Sequence, residues 1–175
     1  MEEQLILVDE KDNEIGYMDK LSVHKKGLLH RAFSVFIFNS KDELLLQQRA
    51  DIKYHSAGLW TNTCCSHPVY GEDISKTINT RMKEEMGLQC NVDFKFRFLY
   101  QTPFDNGLTE HELDHVYFGR CDDAPMANPK EVKDWKYMNL EKLKKEILDN
   151  PHKFSSWLKI CLGEVIEHFE TKSNA

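Results

Sequence analysis

Residues 32–38 read AFSVFIF, and this run constrains the fold more than any other stretch of the chain. Its aromatic and β-branched side chains favour a strand buried inside a sheet, because they pack well on a pleated surface. Turn chemistry follows at residues 39–42 (NSKD), and residues 43–48 (ELLLQQ) return as the second arm of a hairpin. Phe94, Phe96, Phe98 and Tyr100 alternate with Lys95, Arg97 and Leu99, the period of two that marks a strand. After a turn at residues 104–107 (FDNG), residues 111–118 and 132–138 predict two further strands. Two short ones are expected near the N-terminus, at residues 4–9 and 15–18, joined by a polar turn.

The helical signals are fewer. After Gly71, Ile74, Ile78, Met82 and Met86 recur at i+4 and form one apolar stripe. Gly87 stands where a left-handed C-terminal cap belongs. Glu84 and Glu85 in the last turn oppose the helix dipole, which prefers cations there, and this broken rule hints at a site. Leu140, Leu143 and Ile147 suggest a helix. A final one is expected to open at Asn150 and Pro151, with Phe154, Trp157, Leu158, Cys161, Leu162, Val165 and Phe169 as its stripe. Residues 20–29 show no clear period and read as a loop, as do residues 49–59, which contain Lys53, Tyr54, His55 and Gly58. The expectation is a single α+β domain with its core at about residues 4–170, built around a mixed sheet.

Charge and cysteine content limit the partners. A net charge of −6 argues against a general nucleic-acid or anionic-membrane surface, so any basic site must be local. The acidic N-terminal segment has only a short apolar run, and neither a signal peptide nor a membrane span is expected. Five cysteines, two of them adjacent at Cys64 and Cys65, fit a reducing cytoplasm better than a disulfide framework.

The candidate chemistry gathers around residues 60–88, WTNTCCSHPVYGEDISKTINTRMKEEMGL. If its first part is extended, Cys65 and His67 share one face and Cys64 points to the other. A thiol near an imidazole or metal can act as an acid or base, though free cysteines also serve as small buried apolar groups. Glu110 and Glu112 at i, i+2 lie on one face of the predicted strand with Asp114, where solvated charge is the plainer alternative. With His24, His30 and His67 they compose a nitrogen and oxygen donor set suited to Mn2+, Mg2+, Fe2+ or Zn2+. Lys20, Arg49, Lys53 and Arg81 are scattered cations able to neutralise phosphate, or to remain solvated.

W-T-N-x-C-C-S-H-P, followed by G-E and a helix ending E-E-x-G-L, resembles the type I isopentenyl diphosphate isomerases of the Nudix superfamily. HKKGLLHRAFS, Arg49-Ala50 with Lys53, Tyr100 followed by E-H-E, and F-S-S-W agree with that family in order, so the resemblance spans roughly residues 4–165. It implies a Nudix-type mixed sheet between helices, and interconversion of isopentenyl and dimethylallyl diphosphate by adding and removing a proton. Cys65 and Glu112 would face each other across the allylic carbons. Glu112, polarised by Tyr100, would act as acid, the Cys65 thiolate as base, and the face of Trp157 would stabilise the intervening tertiary carbocation. Which of the two gives the proton is left open. The family's metal site falls on His24, His30, His67, Glu110 and Glu112, holding Mn2+, Mg2+ or Zn2+. A second ion, Mg2+ on the diphosphate, would be held through Glu85, with Lys20, Arg49, Lys53 and Arg81 on phosphate oxygens. The protein would be a monomer.

Two departures stand out. In the general Nudix pattern G-x5-E-x7-R-E-U-x-E-E-x-G-U, counting back from Gly87-Leu88 places the Arg-Glu pair on Thr80-Arg81, so arginine replaces a glutamate. That weakens pyrophosphohydrolase chemistry, which leans on several metal-binding carboxylates. The His24-to-His30 spacing is also one residue shorter than the family's. The competing readings are a Nudix hydrolase of a nucleoside diphosphate derivative, and a non-catalytic module that binds diphosphate or metal.

Overall fold

The computed structural model describes residues 2–53 and 55–173, with the side chains of Lys172 and Ser173 excepted. Tyr54, in the expected polar loop, lies outside the described residues. The buried run sits at the centre: β3 (His30–Phe38) has seven consecutive buried residues from Ala32 onward. Its whole length pairs in parallel with β8 (Thr109–Arg120), from His30 opposite Glu112 to Phe38 opposite Arg120. The other edge of β3 is shared. β1 (Gln4–Val8) meets it at His30, β6 (Cys64–Ser66) at residues 33–35 and β4 (Glu43–Arg49) at Phe38. β2 (Glu14–Asp19) pairs with β1, and β5 (Trp60–Thr61) and β9 (Val132–Asn139) pair with β4. β7 (Val92–Pro103) completes the mixed sheet antiparallel to β8, with a bulge between Phe94 and Phe96 that leaves Phe94 exposed.

Helices cover both faces. On one, the stripe of α2 (Ile74–Met86) puts Ile78, Met82 and Met86 against Phe33, Val35, Ile37 and Cys64. On the other, α3 (Leu140–Asp149) and α4 (Ser156–Ser173) bring Leu143, Trp157, Leu158, Cys161 and Val165 against Phe36, Phe98, Val116 and Phe118. Gly87 closes α2 at φ 64°, returning its N–H to the carbonyls of Lys83 and Met82, as the cap reading expects. Among the described residues no helix is long and apolar enough to cross a membrane.

Two expectations are corrected. The segment read as a loop at residues 20–29 contains α1 (Lys20–Lys26), whose N-cap Asp19 accepts from Ser22 N–H and whose C-cap Gly27 is left-handed. Its definition comes from its ends, and seven residues are too few for an apolar period to show. The final helix opens later than expected. Pro151–Lys153 form one 3-10 turn, and α4 begins at Ser156.

Candidate active site

The ladder of the central strands decides which side chains meet. Residues paired across a ladder point to the same face, so Glu112 opposite His30, and Cys65 opposite Ser34, all face the α4 side. Tyr100, opposite Glu112 on β7, joins them. Cys64 points the other way and enters the core under α2, where its thiol donates to Glu85 Oε2 at 3.1 Å. The expected split between the two cysteines is therefore observed. A single cavity is lined by Cys65, His67, Glu110, Glu112, Trp157, Lys20, Arg49, Lys53, Arg81 and Glu85, together with Ser34, His55 and Asp114.

One wall is a histidine–carboxylate cluster. His24, His30, His67 and Glu110 each offer a ligand atom, all within 4.8 Å of one another. His67 Nε2 lies 2.8 Å, and His30 Nε2 3.5 Å, from Glu112 Oε2, while His24 Nε2 pairs with Glu110. His24 Nδ1 lies 2.6 Å from the Lys20 carbonyl and His30 Nδ1 2.9 Å from that of Leu28. A carbonyl only accepts, so both Nδ1 atoms carry the proton and both Nε2 atoms are left to face the carboxylates. The Nε2 of His30 is buried and makes no hydrogen bond among the described residues. Lone pairs turned toward carboxylates repel unless a proton or cation lies between them. The donor set, with Nδ1–H bonds to carbonyls fixing the rings, therefore fits a divalent cation. α1 supplies His24 to this cluster, so the shortened spacing to His30 does not keep them apart: their rings sit 5.0 Å apart.

The electrostatics are those of a buried cluster. Burial pulls His67 down to about 4 despite the Glu112 hydrogen bond. Burial opposes the charged form of His30 as well, but the carboxylate of Glu112 beside it, with Glu110, outweighs it and raises that imidazole. For Glu110, burial is outweighed by the imidazoles of His24 and His55 set against it, and its carboxyl lies well below the usual range. Asp114, buried and bonded through Oδ2 to the Ser34 hydroxyl at 2.7 Å, is pushed well up by burial and by Glu112.

The surroundings of Cys65 and Glu112 differ from expectation in one respect. Tyr100 O–H donates to Glu112 Oε1, as expected. Burial pushes the Cys65 thiol up to about 12. It therefore rests as S–H, not as the thiolate expected from the sequence. Its hydrogen goes to Asn62 Oδ1 at 3.4 Å, which also accepts from Trp157 Nε1 at 3.1 Å. Arg49 lies over the Trp157 ring with its guanidinium carbon 5.4 Å from the centroid, so this indole face is one that attracts cations.

The four expected phosphate contacts converge. Burial, then Lys53, Arg49 and Arg81, lower the Lys20 pKa against the pull of Glu110. Crowded cations repel, and a polyanion among them relieves that repulsion. At rest Lys53 pairs with Glu131, and Arg81 bridges Glu84 at 2.9 Å, Glu85 at 2.8 Å and Glu131 at 3.7 Å. Glu85 is buried beside Gln47, while Glu84 is exposed, which resolves the dipole-opposing pair into one inward and one solvated carboxylate.

Sequence reasoning missed His55, Asn62, Asp114 and Glu131. His55 Nε2 lies 3.4 Å from Glu110 Oε1, and its ring stacks on Phe104 at 4.8 Å. Nothing in the spacing of residues 49–59 signals that contact. Asp114 carried a signal, its place on the face of Glu110 and Glu112.

Comparison with known proteins agrees with this geometry. The chain matches the NUDIX domain family over residues 28–158. It is 52% identical over 166 residues to isopentenyl-diphosphate Delta-isomerase 1 of Aromatoleum aromaticum, covering 95% of this chain and 94% of that protein. To the isopentenyl-diphosphate Delta-isomerase of Pectobacterium atrosepticum it is 46% identical over 167 residues, covering 95% and 93%. In fold it is similar to DR0079 from Deinococcus radiodurans, with TM-score 0.69 at 20% identity over 84% of this chain and 90% of that one. An Ap4A hydrolase from C. elegans superposes with TM-score 0.58 at 18% identity, covering 81% and 98%. Resemblances at that identity speak for the fold alone. On the strength of the near relatives, the chain belongs to the isopentenyl-diphosphate Delta-isomerases, within the NUDIX domain family.

Proposed function

We propose that the protein interconverts isopentenyl diphosphate and dimethylallyl diphosphate at this cavity. One observation carries the reading: a thiol, a carboxylate and an indole face share a cavity with four converging cations. The anionic end of the substrate is held by Lys20, Arg49, Lys53 and Arg81, and the five-carbon end lies between Cys65 and Glu112. A proton added to the terminal methylene gives a tertiary carbocation. Loss of a proton from the carbon on its other side forms the allylic double bond. Cys65 and Glu112 exchange the roles of donor and acceptor between the two directions, as microscopic reversibility requires. Tyr100 holds one oxygen of Glu112, the Trp157 face stabilises the cation, and the buried walls keep out water that would capture it.

Two metal sites belong to the proposal. His24, His30, His67, Glu110 and Glu112 would hold Mn2+, Mg2+ or Zn2+, and Glu85 would hold Mg2+ bound to the diphosphate. Such ions supply Lewis acidity and charge neutralisation. The five unpaired thiols suit a reducing cytoplasm, and we take the active form to be a monomer.

The test is incorporation of solvent deuterium into isopentenyl diphosphate by purified protein with Mg2+, with Cys65→Ala as control. Exchange lost in the variant supports the isomerase. No exchange with any divalent metal refutes it. Phosphate or nucleotide release from nucleoside diphosphate derivatives that survives Cys65→Ala supports the hydrolase instead.

A further inference from the structure

Asn62 is fully buried and touches both sides of the reactive centre. Its Nδ2 donates to the carbonyls of Val35 and Cys64, each at 3.0 Å, which settles which end of the amide is the oxygen. That oxygen then accepts from the Cys65 thiol at 3.4 Å, the Trp157 indole N–H at 3.1 Å and the Thr61 hydroxyl at 2.9 Å. Thr61 in turn meets Ser155 Oγ at 2.8 Å, and the Ser155 N–H donates to the Trp60 carbonyl at 2.9 Å, just before α4 begins. Cys65 and Trp157 come from well-separated parts of the chain, and the Asn62 amide is the group they share.

Resting on the isomerase reading, we propose that Asn62 is a positioning residue that sets the Cys65 thiol and the Trp157 indole relative to each other across the cavity. Two constraints make it effective. Its amide plane is pinned by two backbone carbonyls from β3 and β6, so the accepting oxygen does not swing. A single oxygen shared by thiol and indole also couples their directions, so a cation held against the ring lies at a fixed angle to the sulfur. Among the described residues none of the four cations is a hydrogen-bond partner of Asn62, so its influence falls mainly on the chemical step.

The expected result for Asn62→Ala is a loss of about 10²-fold in kcat, the scale of a misplaced reactive group, with KM little changed. Asn62→Asp keeps an accepting oxygen but turns a second one toward the Val35 and Cys64 carbonyls, which unpins the plane, so it is expected to lose activity as well. Trp157→Phe assigns the Trp157 indole N–H signal in nuclear magnetic resonance spectra. That signal moves to higher field in Asn62→Ala, which removes its acceptor, and to lower field in Asn62→Asp, where a charged oxygen replaces the amide. The double variant Asn62→Ala/Trp157→Phe loses little more activity than the worse single variant. The proposal is overturned if the indole signal does not respond to Asn62→Ala or if the double variant is additive. Should Asn62→Ala not fold, Asn62→Asp carries the test, and an indole signal unmoved in that variant overturns it. A wild-type protein without isomerase activity would refute the function while leaving the indole measurement to judge the positioning.

Discussion

Arg81→Met is the substitution whose cost can be worked out most directly. Glu85 has 5% of its side chain exposed, and Arg81 Nη2 lies 2.8 Å from its Oε1. Methionine keeps the packing of the arginine stem and removes the charge. The carboxylate is then left with Gln47 Nε2 at 3.3 Å and the Cys64 thiol at 3.1 Å, both weaker donors than a guanidinium. Removing one partner of a fully buried ion pair costs about 3–5 kcal/mol. Here Arg81 is 25% exposed and water reaches one side of the pair, so about 2–3 kcal/mol is the appropriate figure. For a chain of this length that lowers Tm by about 4–12 °C. The measurement is thermal unfolding followed by circular dichroism at neutral pH with a chelator present, so that no cation substitutes for the guanidinium. Arg81→Met/Glu85→Met, which removes the stranded carboxylate, should recover most of the loss. A single variant within about 1 °C of wild type, or a double variant no better than the single, would refute the reasoning.

Other outcomes follow from the same geometry. With its thiol pushed up to about 12 by burial, Cys65 should alkylate with an apparent midpoint above the ordinary thiol value. The raised value adds stability that is complete below the unfolded-state pKa near 9 and is lost as pH rises toward 12. In peptide mapping after iodoacetamide treatment from pH 7 to 11, labelling should still be rising at the top of the range, and a midpoint at or below about 8.5 contradicts the burial argument. Asp19→Ala removes the N-cap of α1 and should cost about 1 kcal/mol in urea unfolding. It should also weaken divalent-cation binding, because α1 carries His24, and unchanged affinity in calorimetry would separate helix from cluster. Tyr100→Phe deletes the hydroxyl that donates to Glu112 and should lower kcat by about 10²-fold with the fold intact. Full activity in that variant would remove Tyr100 from the site.

Much of the fold could be read because its strands declare themselves by period. The alternation at Phe96, Phe98 and Tyr100 and the unbroken run of β3 depend on local chemistry, and both appear where expected. α1 escaped because its order lies in Asp19 and Gly27, outside any apolar rhythm, and its buried residues are Val23 and His24. In the site, Glu85 betrayed itself by opposing the helix dipole. His55 and Asn62 gave no such sign. His55 is brought to Glu110 by the closure of a loop, and Asn62 meets Val35 and Trp157 from parts of the chain far from it in sequence. Contacts of that kind exist only after the chain has closed. The protonated resting state of Cys65 is likewise a property of burial, which residue spacing does not carry.

β3 also works as a caliper. β6, with the thiol, and β8, with the carboxylate, grip opposite edges of the same strand, each about 4.8 Å away by backbone hydrogen bonding. The gap between the two jaws is thus set by register, and no loop adjusts it. Opening it would mean slipping a strand, and a one-residue slip would turn the reactive side chain to the opposite face. The spacing of thiol and carboxylate is accordingly a gauge that does not flex. Widening that gauge is a matter for the residues lining the walls, not for Cys65 or Glu112.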